Sequence, residues 1–264
     1  MQILGFALAA LVGISLGLIG GGGSILTVPI LVYVIGISPV LATSYSLFIV
    51  GSASLAGAFN NYLKGFVKIK TALLFGIASI TTVFVTRKFL LPKIPAVIIS
   101  APQFYVTQST AIMVLFAILM LLASIAMIRN KKINYKTVAV EQENKIAKLL
   151  MYGILIGLAT GFLGAGGGFL LIPTLVLILK MPMKEAVGTS LLIIALNSLI
   201  GFTGDLGHFL IDWKFLISIT LIAIAGIFAG GLLAKKIEGD NLKKGFGWFV
   251  LIMGFYILVK EIFF

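Results

Sequence analysis

Ten apolar runs, each bounded by charged residues or by Gly and Pro, make up most of this chain. They lie at residues 3–19, 25–35, 40–58, 71–85, 107–128, 147–163, 169–179, 186–202, 215–233 and 246–259. Several approach the roughly 20 residues with which a helix crosses the hydrocarbon core of a bilayer, but 25–35 and 169–179 are too short. Those two are typical of half-helices or re-entrant arms. The pattern predicts an all-α polytopic membrane protein, because helices satisfy their own backbone hydrogen bonds in lipid.

Composition argues against a water-soluble alternative. Of the 264 residues, 60% are hydrophobic and 11% are charged, so a soluble fold would lack the polar side chains that cover a surface in water. The net charge of +12 does not indicate a nucleic-acid partner, because the Lys and Arg residues lie between apolar runs, where they set orientation in the membrane. The absence of cysteine excludes disulfides, thiol catalysis and thiolate metal sites.

The sequence contains an internal repeat built around glycine. Residues 13–29 are GISLGLIGGGGSILTVP and residues 157–173 are GLATGFLGAGGGFLLIP. After a slip of two residues the match resumes, with Ala42-Thr43-Ser44 set against Gly188-Thr189-Ser190. We predict two homologous transmembrane halves, 1–128 and 148–264, joined by a cytoplasmic linker at 129–147. Each half is expected to contain a glycine-broken helical hairpin followed by three transmembrane helices.

The distribution of charges predicts that the two halves are inverted-topology repeats. If the linker and the basic loop at 235–244 are both cytoplasmic, the loop with Asp205 and Asp212 lies outside and the second hairpin enters from the cytoplasm. The same accounting places the N-terminus outside, so the first hairpin enters from the opposite face. Three basic residues argue against this orientation, because it places Arg87, Lys88 and Lys93 outside, contrary to the charge bias. Repeats of this kind are typical of secondary transporters.

The glycine runs predict breaks between the two arms of each hairpin, where unwound backbone is buried in protein or lines a watery cavity. A short helix beginning after each break, at Ile25 and at Phe169, would present unpaired amides and a positive dipole end to an anion. The candidate binding residues at the breaks are Gly21, Gly22, Gly23, Ser24, Gly166, Gly167 and Gly168. The alternative is that these glycines only permit close helix packing. Their four-residue spacing predicts that role for Gly13, Gly17, Gly157 and Gly161.

Hydroxyl and amide side chains near the breaks are the other candidates for binding. Thr43, Ser44, Thr189 and Ser190 open long apolar runs, and their hydroxyls are suited either to capping a helix or to donating to an oxyanion. Asn197 lies deep in a run, where it either joins helices or contacts a substrate. No charged residue lies well inside a predicted span, which favours a small anion over a cation as cargo. No metal or cofactor is expected, although carbonyl groups at the breaks leave coupling to Na⁺ or H⁺ open.

On these motifs the chain resembles the sulfite exporter TauE/SafE family of membrane permeases, in which a glycine-rich segment followed by Pro and by a Thr-Ser element occurs twice. The elements are residues 20–29 with Thr43-Ser44, and residues 164–173 with Thr189-Ser190. The first copy departs from the pattern at Ser24, where the family has glycine. The resemblance implies transport of sulfite, sulfoacetate or related organosulfonates across a prokaryotic cytoplasmic membrane.

The sequence therefore predicts a secondary transporter that alternates around a midplane site formed by the two hairpins. Its expected partners are a small anionic substrate and the lipid bilayer, and it is expected to be a monomer or a homodimer. An anion channel, or a carrier of another small solute or of a cation, is the alternative. An enzyme is not expected, because the single histidine, His208, is far along the chain from any intramembrane hydroxyl nucleophile.

Overall fold

The computed structural model of this chain describes residues 2–101, 104–129, 144–177, 179, 181–234 and 239–263. The helices are α1 (Gln2–Ile19), α2 (Thr27–Pro29), α3 (Pro39–Leu63), α4 (Ile69–Val85), α5 (Gln108–Ile128), α6 (Asn144–Leu163), α7 (Gly168–Leu177), α8 (Met183–Asp205), α9 (Trp213–Leu233) and α10 (Gly239–Phe263). Most of the predicted linker, at 130–143, lies outside the described residues. The chain is a polytopic helical membrane protein, as its apolar runs predict.

Five of the described helical segments are long and apolar enough to cross a membrane. They are Pro39–Leu63, Ile69–Lys93, Gln108–Ile125, Met183–Asp205 and Trp213–Leu233. Two of these, α3 and α8, are 67% buried, against 33–39% for the other three, so α3 and α8 form the centre of the bundle. Large apolar side chains cover the outside, as in Ile77, Leu221 and Ile252, which are each more than 60% exposed. Such faces suit contact with lipid chains.

Local sequence signals account for where several helices begin. Pro39 occupies the first turn of α3, where its missing N–H is not needed. The Thr107 hydroxyl accepts a hydrogen bond from the Thr110 amide at the start of α5, and the Asp212 carboxylate accepts one from Phe215 at the start of α9. These caps satisfy amides that have no acceptor within the helix.

The arms that follow the glycine runs are both helical, but they differ in regularity. The first arm, residues 21–34, changes pitch along its length from a 3₁₀ turn (Gly21–Leu26) through α2 to a π turn (Ile30–Val34). The second arm is α7, a ten-residue α-helix. Helical geometry thus begins at Gly21 and Gly168, inside the glycine runs. The predicted start at Ile25 is wrong by a full turn, because glycines with negative φ continue a helix when buried contacts support them.

Small residues determine how the helices pair. A methyl group on Gly13 of α1 would lie 2.9 Å from Cα of Gly226 on α9, and one on Gly230 would lie 3.0 Å from Cα of Gly17. Similarly, a methyl on Gly157 of α6 would lie 2.8 Å from Cβ of Thr82, and one on Gly161 would lie 2.7 Å from Cβ of Thr86. The structure therefore supports the packing role predicted for these glycines. Both helix pairs, α1 with α9 and α4 with α6, run parallel.

The central helices α3 and α8 run antiparallel to each other. Near the N-terminal end of α3, Leu47 meets Gly201, and Gly51 meets Ser198 in the middle of both helices. Towards the other end, Gly57 meets Leu191. Positions early in α3 thus lie beside positions late in α8, and the two pairs Thr43-Ser44 and Thr189-Ser190 lie at opposite ends of this central pair.

A short antiparallel β-hairpin, which the sequence reading did not predict, precedes α5. Its strands are β1 (Val97–Ala101) and β2 (Phe104–Thr107). The β-branched and aromatic residues of this stretch suit a strand, and Pro95 opposes a continued helix before it. Each strand is shorter than an apolar run that would be assigned to a membrane span, so the pattern of apolar runs does not indicate this hairpin.

Candidate functional site

The two glycine-rich breaks meet in the middle of the bundle. A methyl group on Gly21 would lie 2.6 Å from the carbonyl oxygen of Gly168, and one on Gly168 would lie 2.5 Å from that of Gly21. The same methyl on Gly168 would lie 2.6 Å from the Ile194 side chain, which places the crossing against the middle of α8. Any side chain larger than hydrogen at either position would push the arms apart. Backbone is therefore brought against backbone where the arms cross.

The second break is strongly bent and is surrounded by hydroxyl groups. Gly164, Gly166 and Gly167 all have a φ of +66°, a conformation that strains other residues. A methyl on Gly166 would lie 2.8 Å from the Ser198 hydroxyl, and Gly167 packs directly against the Thr160 hydroxyl. Both hydroxyls are buried, and neither has a hydrogen-bond partner among the described residues. Donors are thus available where the backbone turns.

The first break is confined to a single residue. Gly20 has a φ of +74° and packs against Val187 and Ile172, which belong to the second half of the chain. Gly23 packs against Ser15 and Leu16 of α1, and Gly22 lies in the same 3₁₀ turn. The Ser24 hydroxyl is buried and donates to the Gly21 carbonyl at 2.7 Å. This hydroxyl proton therefore stabilises the arm in the present conformation.

The four hydroxyl residues Thr43, Ser44, Thr189 and Ser190 are all fully buried and lie inside helices. Their possible role as helix caps is wrong, because α3 begins at Pro39 and α8 at Met183. The Thr43 hydroxyl donates to the Val40 carbonyl at 2.7 Å, and the Ser190 hydroxyl donates to that of Val187 at 2.9 Å. Such bonds leave the oxygen lone pairs for a second contact.

Each of the two hydroxyl pairs lies beside the glycine break of the other half of the sequence. Thr43 packs directly against Gly164 in the second break. Val187, next to Gly188 and Thr189, packs against Gly20 in the first. The four hydroxyl residues therefore form two layers, one at each end of α3 and α8, with the crossing of the arms between them.

Asn197 bridges two helices and keeps a free donor. Its side-chain oxygen accepts a hydrogen bond of 2.9 Å from the Ser79 hydroxyl of α4. Its amide nitrogen, buried with the rest of the side chain, has no partner among the described residues. The two roles predicted for Asn197, joining helices and donating to a ligand, are therefore compatible.

A buried ion pair closes the end of the bundle where Thr43 lies. Arg87 Nη1 is 3.1 Å from Asp205 Oδ2 and also donates to the Thr43 hydroxyl at 3.1 Å. The exposed fractions of the two side chains are 0% and 2%. Arg87 lies in a π turn (Thr86–Leu90) that continues α4, and Asp205 is the last residue of α8.

This ion pair corrects two expectations. Asp205 does not lie in an exposed loop, and charged residues do lie inside helical spans. The apolar runs stop at 85 and 202 whereas the helices continue, and opposite charges on neighbouring helices neutralise each other. The violation of the charge bias by Arg87 is the one sequence signal at this position, and it does not identify Asp205 as the partner.

The opposite end of α3 and α8 is held by polar contacts that are more exposed. The Lys68 amide, just before α4, donates to the Thr189 hydroxyl at 3.0 Å. The Lys68 side chain pairs with Glu185 at 3.1 Å, with exposed fractions of 48% and 27%. These residues line an open cleft that also includes Val67, Ile69, Lys70, Thr71, Leu179, Met181 and Pro182. Solvent therefore reaches within one residue of the Thr189 contact.

Comparison with known proteins places the chain among membrane transporters. The model of the family described as "Sulfite exporter TauE/SafE" matches residues 5–257. A Xylella fastidiosa protein named "Probable membrane transporter protein" is 30% identical over 95% of this chain and 92% of its own length. Bacillus subtilis "Probable membrane transporter protein YdhB" is 25% identical over 94% and 96%. No solved structure matches the chain.

Proposed function

Because this chain belongs to the sulfite exporter TauE/SafE family, we propose that it is a secondary transporter of small sulfur-containing anions. Sulfite, sulfoacetate and related organosulfonates are the proposed cargo, and a prokaryotic cytoplasmic membrane is the proposed location. The family description supports the cargo, and bacterial relatives named as membrane transporters support the location. No catalytic role is proposed.

The observation that carries this proposal is that the two glycine breaks cross beside buried hydroxyl donors. Gly21 and Gly168 bring backbone to backbone beside Ile194, and the hydroxyls of Ser198 and Thr160 face the second break. Oxyanions are bound well by hydroxyl groups, amides and the amino ends of helices in a dry site. The residues proposed to line the site are Gly21, Gly22, Gly23, Ser24, Thr43, Ser44, Gly166, Gly167, Gly168, Thr189, Ser190 and Asn197.

The pairing of helices supports two inverted repeats. The sequence repeat makes α1, α3 and α4 equivalent to α6, α8 and α9. The contact of α1 with α9 then corresponds to that of α6 with α4, and the contact of α3 with α9 corresponds to that of α8 with α4. The Lys68 amide donates to Thr189 just before α4, and the Asp212 amide donates to the Tyr45 hydroxyl at 2.7 Å just before α9. The antiparallel course of the equivalent helices α3 and α8 supports the proposal that a two-fold axis in the membrane plane relates the halves.

Transport would alternate by rocking one repeat against the other. In the present conformation Thr43 and Thr189, at opposite ends of the central helices, are both fully buried. The anion would enter when either layer of contacts opens, and the crossing of the arms would stay between the two layers. Coupling to H⁺ or Na⁺ is part of the proposal and is tested by imposing each gradient separately.

The test is uptake of sulfite and of radiolabelled sulfoacetate by proteoliposomes containing the purified protein. Gly166→Ala is expected to lower the flux by about tenfold, because a methyl group there would press on Ser198 and strain a positive φ. Gly65→Ala is the matched control, since Gly65 has a φ of +76° but open space around it. Equal flux in both variants, at equal insertion, would contradict the assigned site.

Counterflow separates a carrier from the alternatives. If the protein is a carrier, unlabelled sulfoacetate inside the proteoliposomes accelerates entry of the labelled anion, and the rate of uptake saturates with anion concentration. A channel shows neither effect. A carrier of a cation or of a neutral solute would leave the flux of sulfite and of sulfoacetate at the level of liposomes without protein.

A further inference from the structure

The Arg87 guanidinium has more hydrogen-bond donors than the described structure uses. Only Nη1 is engaged, by Asp205 Oδ2 and by the Thr43 hydroxyl, each at 3.1 Å. Nε and Nη2 are buried and have no partner among the described residues. A guanidinium that served only as a structural partner for a carboxylate would be expected to use two parallel hydrogen bonds. This one makes a single contact and leaves its other edge unoccupied.

The surroundings connect this guanidinium to the proposed site. Thr43, which accepts from Arg87, also packs against Gly164 of the second break, so one side chain separates the cation from the strongly bent backbone. Gly204 provides space beside Arg87, because a methyl group there would lie 3.1 Å from Cβ of Arg87. The neighbouring Lys88 is exposed and lies near the rings of Phe84 and Phe89, so it does not add a second positive charge to the buried site.

We propose that Arg87 is a binding residue for the transported oxyanion, which accepts hydrogen bonds from Nε and Nη2, while Asp205 is the counter-charge that holds the guanidinium when no anion is bound. The inference rests on the proposed function and names the charged group of its site. A planar pair of N–H donors matches two oxygens of a sulfite or sulfonate group. The anion and Asp205 compete for one positive charge, so their interactions with Arg87 oppose each other.

Competition of this kind predicts opposite effects for the two partners. Asp205→Asn removes the competing carboxylate, so the protein without anion should melt at a lower temperature while its apparent Kd for sulfite falls by about tenfold. Arg87→Gln combined with Asp205→Asn replaces the ion pair by two neutral amides. That double variant should insert and melt like the parent without anion, lose the stabilisation by sulfite, and transport at least about tenfold more slowly.

The measurements are thermal unfolding of the purified protein in detergent with sulfite, sulfoacetate or chloride, and flux of the first two anions. Lys88→Gln, one residue away, removes an exposed charge and should behave as the parent does. Arg87→Lys is the second variant, for use if the double variant fails to insert. Lysine keeps the positive charge but loses the planar pair of N–H donors, so the KM for transport should rise about tenfold.

Parental flux and stabilisation that persist unchanged in the double variant, or an unchanged KM in Arg87→Lys, would overturn the assignment of Arg87 alone. If the unsubstituted protein neither transports nor is stabilised by sulfite and sulfoacetate, the proposed function itself is overturned, and this inference falls with it.

Discussion

At the scale of single residues, the site combines groups that are fixed in place with groups that remain available. Asn197 is held by Ser79 through its oxygen, while its amide nitrogen has no partner among the described residues. The hydroxyl of Ser198, next along α8, also has none. Buried donors without partners destabilise a protein by about 1–3 kcal/mol each, so we expect these two donors to bind a ligand.

The Ser79 hydroxyl is predicted to position Asn197. Ser79→Ala leaves the Asn197 oxygen without its donor and should lower the free energy of unfolding by about 1 kcal/mol, with a weaker anion-dependent thermal shift. Thr81→Ala on the same helix is the control, because its exposed hydroxyl bonds only to the Ile77 carbonyl. Unfolding in denaturing detergent measures both, and indistinguishable losses in the two variants would refute the positioning role.

At the scale of helices, close approach between small residues joins α1 to α9 and α6 to α4. α1 touches α9 through Gly13 and Gly17 with Gly226 and Gly230, and α6 touches α4 through Gly157 and Gly161. In lipid, where no hydrophobic driving force joins two apolar helices, such contacts supply the packing energy. The contacts are repeated at four-residue intervals, so each pair behaves as one continuous interface.

Gly226→Ala is therefore predicted to destabilise the protein. The added methyl would lie 2.6 Å from the Ala10 carbonyl oxygen and 3.0 Å from Cα of Gly13, which forces the helices apart and lowers the free energy of unfolding by about 1–3 kcal/mol. Gly231→Ala, five residues further along α9, meets nothing within 4 Å and should change little. Reversible unfolding of both variants is the measurement, and comparable stability in the two would show that the interface is not tightly packed.

Much of this architecture could be predicted from the sequence, because lipid enforces helices and each run of apolar residues becomes one. All ten runs correspond to helical segments, with ends displaced by up to seven residues. The parts that could not be predicted depend on contacts between distant positions. Arg87 and Asp205 stabilise each other across 118 residues, and neither residue carries a local sign of its partner. The start of the first arm was misplaced for the same reason, since burial keeps Gly21 helical.

At the scale of the whole molecule, the arrangement predicts that the two hydroxyl layers open to opposite sides of the membrane. α3 and α8 are antiparallel, so Ser44 lies towards the end of the bundle that carries the loop with Leu210. Ser190 lies towards the opposite end, which carries the loop with Gly65. Rocking of inverted repeats would expose one layer at a time.

Cysteine labelling tests this arrangement directly, because the chain has no cysteine of its own. In sealed vesicles, Ser44→Cys should react with a membrane-impermeant thiol reagent only from the side that labels Leu210→Cys. Ser190→Cys should react only from the side that labels Gly65→Cys. These two loop positions are exposed and identify the sides independently. Labelling of both Ser44→Cys and Ser190→Cys from one side would rule out inverted repeats that alternate.

The two ion pairs make the two ends of the central helix pair different from each other. Two identical inverted repeats would make the inward-open and outward-open states equivalent by a two-fold rotation, with equal free energy. Here Arg87 and Asp205 are sealed from solvent at one end, whereas the side chains of Lys68 and Glu185 are partly exposed at the other. Separating a buried pair is far more demanding than separating an exposed one, which contributes about 0–1 kcal/mol. The two open states should therefore differ in free energy, and most resting molecules should be open at the Lys68 end. Opening at the Arg87 end should be the slow step that limits turnover. The net direction of transport is still set by the gradients alone.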